Sequence, residues 1–301
     1  MKRVLLTGAS GFVGRHCFEA LSACDYEVHA VSSVAGVATP GVHWHQANLL
    51  ADAEVSELLA EVQPTHLLHC AWCAEPGKYW TDPENLRWVE AGLHLLQSFA
   101  AVGGRRVVAV GSCAEYDWRD GYCSEQTTPL KPATIYGKCK HAFQILLDAW
   151  SETTGISAAW GRLFFLYGPH EDQRRLVASV ICSLLKDQPA RCSHGQQIRD
   201  FLYVRDAAAA LVALLDGEVA GPVNIASGVP VSLQQVIEEI ANQLERPGLV
   251  KMGALPAPEN EPAQLLADIA RLRDEVGWSP KFALAAALRE TIDWWRQESA
   301  K

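Results

Sequence analysis

The sequence predicts an α/β protein with a doubly wound parallel sheet and a smaller C-terminal lobe. Strand-like and helix-like segments alternate through the first half of the chain, a glycine-rich turn follows the first strand, and the pattern changes after about Phe165. Such alternation is typical of a parallel sheet that is covered by helices on both faces. The later loops, short strands and prolines indicate a lobe that grows out of this sheet.

Short apolar segments rich in β-branched residues predict six strands, near residues 4–6, 28–31, 42–46, 66–70, 107–110 and 158–163. Asp82 and Pro83 look like the N-cap and the first residue of a helix whose apolar residues recur at helical spacing as far as Gly103. A second amphipathic helix covers about residues 135–153, and Gly155 marks its end.

A glycine-rich turn follows the first strand. Gly8, Gly11 and Gly14 have the spacing GxxGxxG and precede a helical stretch. Glycines there permit a tight turn and a close approach of the backbone to a pyrophosphate, which the N-terminus of the helix faces. For the glycines alone, an ordinary strand-to-helix turn is the alternative. Together with the residues described next, they predict a dinucleotide site.

Three residues form a candidate acid–base set. Ser112 follows the strand near 107–110, and Tyr136 and Lys140 stand four residues apart on one face of a predicted helix. A tyrosine, with a pKa of about 10, is a poor acid or base at neutral pH, and a lysine cation beside it lowers that pKa. The set therefore predicts hydride-transfer catalysis, although an exposed Tyr/Lys face is the alternative for the YxxxK pattern alone.

The chain resembles an extended short-chain dehydrogenase/reductase of the nucleotide-sugar epimerase, dehydratase and reductase kind. The resemblance rests on motifs spread from Leu6 to Pro280, which read TGASGFVG, HLLHCAW, GSCAEY, YGKCK, GRLFFLYGP, GQQIRDFLYVRDAAAAL, VNIASG and EVGWSP. It implies a Rossmann dinucleotide-binding domain over residues 1–165, with 199–226 returning to it. Residues 166–198 and 227–301 are then the substrate-binding lobe. The resemblance also implies a homodimer built on the two long helices.

The resemblance implies a cofactor site formed by Gly8, Ser10, Gly11, Phe12, Val13, Gly14, Arg15, Ser32, Ser33, Asn48, Leu49, Cys70, Ala71, Trp72, Tyr136, Lys140 and Phe164. NAD sites usually place an acid about twenty residues beyond the glycines. Here the second strand ends in Ser32 and Ser33 without an acid, which favours NADP(H) over NAD(H). Because no lysine or arginine lies between Val28 and Ala51, Arg15 is the expected partner of a 2′-phosphate.

The residues expected to contact the substrate are Cys113, Ala114, Glu115, Phe165 and Arg199. The resemblance implies that Arg199 binds the diphosphate of a nucleotide sugar, whereas an ion pair with Asp200 is the structural alternative. The chain departs from the family pattern in three places. Phe165 and Trp88 stand where an Asn is usual, and no late arginine precedes the stretch EPAQLLAD. Trp72, Trp80 and Trp118 form either an aromatic pocket wall or anchors for loops.

The expected reaction is NAD(P)H-dependent reduction of a 4-keto-6-deoxy nucleotide sugar. Ser112 and Tyr136 act on the carbonyl oxygen, and Lys140 tunes the tyrosine. The acid pair of a 4,6-dehydratase is missing, because Cys113 and Ala114 occupy those positions. The 3,5-epimerase-reductase pair is incomplete, since only the histidine, His170, is present. A 4-epimerase with tightly bound NAD and a non-catalytic cofactor-sensing protein are the alternatives.

Composition and charge argue against several other classes of protein. A net charge of −9 without a basic run argues against nucleic-acid or anionic-membrane partners. The longest apolar stretch, 207–215, is about half a membrane span, and glycines interrupt the N-terminal apolar segment before it resembles a signal peptide. Nine cysteines, an odd number, indicate reduced thiols and a cytoplasmic location. His43 and His45 share one face of a strand, but no ligand partners lie nearby in the sequence, so no metal site is expected.

Overall fold

The structure, a computed structural model, describes residues 2–257 and 261–300. Its strands are β1 (Lys2–Thr7), β2 (Tyr26–Ser32), β3 (Val42–Gln46), β4 (His66–His69), β5 (Arg106–Ser112), β6 (Tyr122–Cys123), β7 (Ser157–Leu163), β8 (Phe165–Tyr167), β9 (Ala190–Arg191), β10 (Ile198–Tyr203), β11 (Gly221–Ile225), β12 (Pro230–Ser232), β13 (Val250–Lys251) and β14 (Gln264–Ala267).

The α-helices are α1 (Cys17–Ala23), α2 (Asp52–Val62), α3 (Glu84–Ala101), α4 (Ile135–Thr154), α5 (Leu176–Leu185), α6 (Val204–Asp216), α7 (Leu233–Gln243) and α8 (Leu284–Ser299). Short 3-10 turns cover Gly14–His16, Cys113–Glu115, Trp118–Asp120 and Pro247–Leu249, and a π-helical turn covers Arg271–Glu275. Among the described residues, no helix is both long and apolar enough to cross a membrane.

The large sheet has seven strands in the order β11-β7-β5-β4-β1-β2-β3, and every neighbouring pair is parallel. From β1 the chain winds outward to β3 and then returns to β4 on the other side. This reversal leaves a crevice at the carboxyl ends of β1 and β4, where open α/β sheets bind ligands. The predicted doubly wound fold is confirmed.

Helices cover both faces of the large sheet. Apolar side chains of α1 and α6 pack on one face, and those of α2, α3 and α4 pack on the other. Each of the six predicted strands has an observed counterpart, because a strand buried on both faces consists of a nearly continuous apolar run. The helix predicted to begin at Pro83 begins one residue later, at Glu84, whose N–H donates to Asp82 Oδ1 over 2.9 Å.

A smaller sheet lies beside the large one. It has the strand order β12-β10-β14-β6, with β8 also paired to β10. The helices α5, α7 and α8 enclose its apolar core. Within the segment 199–226, β10 belongs to this smaller sheet and β11 to the large one, and the division of the chain into two lobes at the expected boundaries stays a prediction.

Asn224 of β11 joins the two sheets. Its buried side chain donates to the carbonyl oxygens of Cys123 and Asp268 over 2.9 and 3.0 Å, and it accepts a hydrogen bond from the Tyr116 hydroxyl over 2.8 Å. Its own N–H donates to Glu125 Oε1 over 2.7 Å. One side chain therefore fixes the end of the large sheet against β6 and the segment that follows β14.

Candidate active site

The three predicted catalytic residues converge at the carboxyl edge of the large sheet. Ser112 is the last residue of β5, and Tyr136 and Lys140 lie in the first turns of α4. Gly137 makes this approach possible, because a Cβ at that position would stand 2.4 Å from the Ala114 carbonyl oxygen. The small residue between the tyrosine and the lysine lets α4 pack against the turn that follows Ser112.

The phenol of Tyr136 lies among aromatic rings. The rings of Tyr79 and Trp80 approach it edge-on, with centroid separations of 4.8 and 5.6 Å. Burial raises the pKa of Tyr136 above its ordinary value, and the nearby Ser112 hydroxyl opposes that rise. The phenol is therefore protonated at neutral pH in this structure.

Lys140 is almost fully buried, with 3% of its surface exposed. Its ammonium donates to the Val110 carbonyl oxygen over 2.7 Å, and Nζ lies 3.7 Å from the centroid of the Trp72 ring. Burial lowers its pKa to about 7. The expected lowering of the Tyr136 pKa by Lys140 is not found, because desolvation has the larger effect and the ammonium is held by Val110 and Trp72 instead.

Apart from Tyr136 and Lys140 in α4, the predicted cofactor residues lie where β1, β2, β3, β4 and β7 end. Gly8 adopts a φ of +65°, and a Cβ there would stand 2.7 Å from Ala71 N, so only glycine lets the turn after β1 pack against the end of β4. Ser10 Oγ lies 3.0 Å from Ser32 Oγ and thereby joins the turn to the end of β2. Asn48 Oδ1 accepts a hydrogen bond from Leu50 N over 3.1 Å.

The glycine-rich turn suits a pyrophosphate. Among the described residues, no acceptor receives the N–H groups of Ser10, Phe12 and Val13, and Ser10 and Gly11 are exposed. Successive N–H groups without an intramolecular acceptor at such a turn form an anion-binding concavity. The residues present therefore fit a dinucleotide.

Arg15 does not take the position expected of a 2′-phosphate partner. Its guanidinium donates to the carbonyl oxygens of Ser10 and Gly11 and bonds with the His170 ring. These contacts direct the cation along the turn towards the segment after β8, and none joins it to Ser32 or Ser33. In this structure Arg15 therefore gives no support to the preference for NADP(H), which stays a prediction based on the missing acid after the second strand.

A cavity of about 490 Å³ lies next to the catalytic residues. It extends from Ala114 and Thr134, and Trp80 and Trp118, with ring centroids 6.4 Å apart, line its wall. These two tryptophans form the aromatic wall that the sequence offered as one possibility. Trp72 does not line this cavity, because its ring covers Lys140 and its Nε1 donates to Asn85 Oδ1 over 2.8 Å.

Glu115 does not reach the substrate side, contrary to expectation. Residues Cys113–Glu115 form a 3-10 turn instead of an extended segment, and this turn directs the carboxylate into the core. There Glu115 forms an ion pair with Arg162 Nε at 2.7 Å, and both side chains are fully buried. The carboxylate also accepts hydrogen bonds from Ser112 N and Trp160 Nε1. Its function is structural.

The other expected substrate residues lie near the cavity edge or in the smaller sheet. Cys113 and Ala114 are buried behind Ser112, with 7% and 4% of their surfaces exposed, and burial raises the pKa of the Cys113 thiol. Phe165 begins β8 and is half-buried. The guanidinium of Arg199 lies 5.4 Å from the Phe165 ring centroid, so the structure brings these two residues together.

The partner of Arg199 is Glu261, at 2.8 Å, and the alternative ion pair with Asp200 does not form. Asp200 instead accepts hydrogen bonds from Ser227 and Gly228. Sequence reasoning missed Glu261, because it lies 62 positions beyond Arg199 and meets it only through the parallel pairing of β10 with β14.

Two further features near the site were also missed. Asn85 is fully buried, and its amide donates to the carbonyl oxygens of Tyr79 and Asp82 while its oxygen holds Trp72. Cys70 and Cys73 form a CxxC pair, and both are free thiols in the structure. The polar Asn85 at the start of an apolar helix and the cysteine spacing were the available signals.

A model of the NAD dependent epimerase/dehydratase family matches residues 4–226. The chain is 28% identical over 309 aligned residues to the UDP-glucuronic acid decarboxylase 1 of Xenopus tropicalis, covering 99% of this chain and 73% of that protein.

Two solved structures share the fold over nearly the whole chain. The UDP-glucose 4-epimerase of Thermus thermophilus in complex with NAD is 25% identical with a TM-score of 0.86, covering 98% of this chain and 99% of that one. MoeE5 in complex with UDP-glucuronic acid and NAD is 27% identical with a TM-score of 0.86, covering 99% and 100%. The chain belongs to the NAD-dependent epimerase/dehydratase family, the nucleotide-sugar branch of the extended short-chain dehydrogenases/reductases.

Proposed function

We propose that the protein is an NAD-dependent 4-epimerase of a uridine-diphosphate hexose or hexuronic acid. One observation carries the proposal. Ser112, Tyr136 and Lys140 are placed for hydride-transfer chemistry, while the turn after Ser112 presents no ionised acid or base, because Glu115 is committed to Arg162. A site with one proton-transfer group supports oxidation and reduction at a single carbon, and elimination of water would need more.

The choice of epimerase over reductase follows from the cofactor. The sequence favoured an NADP(H)-dependent reductase of a 4-keto-6-deoxy nucleotide sugar, with the 4-epimerase as its alternative. The contacts of Arg15 leave no evident cation for a 2′-phosphate at Ser32 and Ser33, and a related 4-epimerase binds NAD. Both points favour NAD and therefore a reaction in which the cofactor is regenerated in place.

In the proposed reaction, Tyr136, Ser112 and Lys140 have separate roles. The Tyr136 phenol first releases its own proton to solvent, and the phenolate then takes the proton of the C4 hydroxyl and later returns it to the same oxygen, which the Ser112 hydroxyl holds by a hydrogen bond. NAD, when bound, supplies hydride acceptance from C4 and hydride return to its opposite face. Lys140 gives up its contact with Val110 and brings its charge towards the phenol, and this movement stabilises the phenolate. Protons and hydride are conserved over the cycle.

Cations around the candidate site support a nucleotide diphosphate as the substrate. The Arg199 fork suits phosphate oxygens, and its partner Glu261 is partly exposed, so an anionic ligand has access to the pair. Arg119 and Lys131 also line the cavity beside Thr134. Arg119 already pairs with Asp117, so Lys131 is the cation that favours a second candidate reaction, decarboxylation of the 4-keto form of a hexuronic acid, because it offers a carboxylate a binding partner.

We also propose that the protein is a cytoplasmic homodimer. The helices α3 and α4 pack against each other and expose apolar side chains at Leu86, Ile145 and Leu146, with 60%, 52% and 39% of their surfaces accessible. A second copy packed on this face would bury them. All nine cysteines are free thiols, in keeping with a reducing compartment. Light scattering of the purified chain tests the dimer.

Product analysis separates the candidate reactions. The enzyme is incubated with UDP-glucose or UDP-glucuronic acid and catalytic NAD, and products are followed by NMR with absorbance of the reduced nicotinamide. The proposal expects the 4-epimer without net change in cofactor. Release of carbon dioxide with a UDP-pentose indicates the decarboxylase. Oxidation of one NADPH per 4-keto-6-deoxy sugar indicates the reductase.

The variant Tyr136→Phe provides the matched control. It removes the proton-transfer group and leaves the ring contacts with Tyr79 and Trp80, so turnover is expected to fall by about 10²- to 10⁴-fold with NAD and UDP binding unchanged. Binding of both ligands by the wild type without turnover of any substrate would instead identify a cofactor-sensing protein.

A further inference from the structure

Two strands at the edge of the large sheet bring three histidines and a glutamate together on one face. Consecutive parallel strands β2 and β3 pair His29 with His43, and the rings of these residues stack with centroids 4.9 Å apart. The ring of His45 stacks on His29 from the other side, at 5.1 Å. Glu27 precedes His29 by two positions and therefore points to the same face. This edge is outside the catalytic site.

The ligand atoms of Glu27, His29 and His43 lie close enough for one ion to bind all three. One carboxylate oxygen and one imidazole nitrogen from each histidine all lie within 4.8 Å of one another. Zinc coordinates imidazole nitrogens and carboxylate oxygens at about 2.0–2.2 Å in a tetrahedral arrangement. Because His43 is exposed, an ion can reach the group from solvent.

The two half-buried ligands, Glu27 and His29, each have a partner that orients them, and His43 is exposed. The second oxygen of Glu27 accepts a hydrogen bond from Arg3 Nε over 3.0 Å, and Arg3 is itself fixed by the Val62 carbonyl oxygen. His29 Nε2 lies 3.1 Å from Glu27 Oε1 and His29 Nδ1 lies 2.9 Å from His45 Nε2, so an ion that replaces the Nε2 proton leaves an Nδ1–H that can donate to His45. Metal-binding histidines usually have such a partner on their second nitrogen.

We propose that Glu27, His29 and His43 bind a divalent transition-metal ion, with zinc as the ion to test. Two imidazoles and one carboxylate form a set typical of zinc. The ion would tie the edge strand β3 to β2. A second group, Cys73, Asp82 and Glu84, also brings ligand atoms together near α3, but Asp82 already accepts the Glu84 N–H at the start of that helix. That group serves as the control.

The test is a zinc titration of the full-length, tag-free chain after treatment with a chelator. Competition with a chromophoric chelator measures stoichiometry and affinity, and cobalt substitution reports nitrogen and oxygen ligands by its absorption spectrum. The proposal expects one zinc per chain. His29→Ala and His43→Ala should each weaken binding by at least roughly 100-fold, and His45→Ala, which removes only the orienting partner, by roughly 10-fold.

Two variants provide matched controls. His94→Ala removes a histidine on α3, distant in sequence from the cluster, and Cys73→Ser removes the only thiol of the competing group. Both should bind zinc as the wild type does, and zinc should raise the melting temperature of both but not that of His29→Ala. Loss of binding in Cys73→Ser alone, or no saturable binding to the wild type, would overturn the proposal.

Folding of the variants is checked by their melting temperatures without zinc. If an alanine variant unfolds, Glu27→Gln and His43→Asn, which change ligand chemistry with little change in volume, replace it. Full zinc affinity in both of these would equally contradict the site.

Discussion

Two arginines of similar burial show how differently one kind of interaction is used in this protein. Arg162 in β7 and Arg199 in β10 are both almost inaccessible to water, and each forms an ion pair with a glutamate. The partner of Arg162, Glu115, is fully buried, whereas Glu261, the partner of Arg199, has 28% of its side chain exposed. The difference in partner exposure separates a structural pair from one that a ligand can reach.

The surroundings of the two pairs support that distinction. Glu115 also accepts hydrogen bonds from two further donors, Trp160 Nε1 and Ser112 N. Moving its carboxylate out of the core would therefore require breaking these hydrogen bonds as well as the ion pair. Among the described residues, Glu261 has one other hydrogen-bond donor, the amide of Gln197. Burial alone is therefore a poor guide to function, and the accessibility of the opposite charge is a better one.

The largest effect is expected at the structural pair. Glu115→Gln leaves the Arg162 charge buried without a counter-charge, which should lower the free energy of unfolding by about 3–5 kcal/mol. Denaturant unfolding measures the change. Asp187→Asn, which breaks the exposed pair with Arg246, should leave it almost unchanged. Similar losses in the two variants would contradict the assignment.

A smaller effect is expected at the pair that a ligand can reach. Arg199→Met should weaken UDP binding by about 1.5–3 kcal/mol, or roughly 10- to 150-fold, because a charged hydrogen bond to phosphate is lost. Calorimetry measures the affinity, and Arg246→Met on the surface is the control. If Arg199→Met destabilises the fold as Glu115→Gln does while UDP binds normally, Arg199 is structural.

Burying the charge of Lys140 lowers the free energy of unfolding by an amount that depends on pH. Its pKa is about 7 in the folded protein and 10.5 when unfolded, so both states are protonated below pH 7 and the desolvation cost is then complete. Between those values the unfolded state binds the additional proton, and stability rises with pH. The variant Lys140→Met should be about 2 kcal/mol more stable than the wild type at pH 6.5, after the opposing Trp72 interaction is counted.

This advantage should shrink by pH 9.5, where the folded wild type has released the proton. Denaturant unfolding of the cofactor-free protein at the two pH values measures the difference between variant and wild type. An advantage that is constant with pH would show that Lys140 titrates normally.

The smallest effect concerns the ring that covers Lys140. Trp72→Leu removes a cation–π interaction worth about 0.5–2 kcal/mol and should lower the Lys140 pKa further. NMR titration of labelled lysine measures that pKa. Trp88→Leu removes a neighbouring ring that contacts Trp72 and not the ammonium, so it should leave the pKa almost unchanged. Equal shifts in both variants would exclude the direct contact.

Local sequence patterns predicted the sheet and the positions of the candidate cofactor residues at its carboxyl edge. The glycine turn, the strand ends and the spacing of Tyr136 and Lys140 are all encoded within short segments. Long-range geometry was not predictable. A 3-10 turn buried Glu115, the pairing of β10 with β14 brought Glu261 to Arg199, and Val110 and Trp72 diverted Lys140.

The histidine cluster was only partly predictable from local sequence. The alternating stretches EVH and HWH were visible in consecutive predicted strands, and parallel pairing of neighbours is the common outcome in such folds. Proximity along the chain nevertheless separates His43 and His45 from Glu27 and His29. Register across strands would have brought the four residues together.

The position of α6 has a consequence for biosynthesis. This helix covers one face of the large sheet, yet it follows β1 by almost two hundred residues and precedes only β11 among the strands of that sheet. During translation, the apolar face formed by β1, β2, β4 and β5 must wait for residues 204–216 to leave the ribosome. A nascent chain in which α1 alone covers that face exposes apolar surface and is prone to aggregation until α6 emerges.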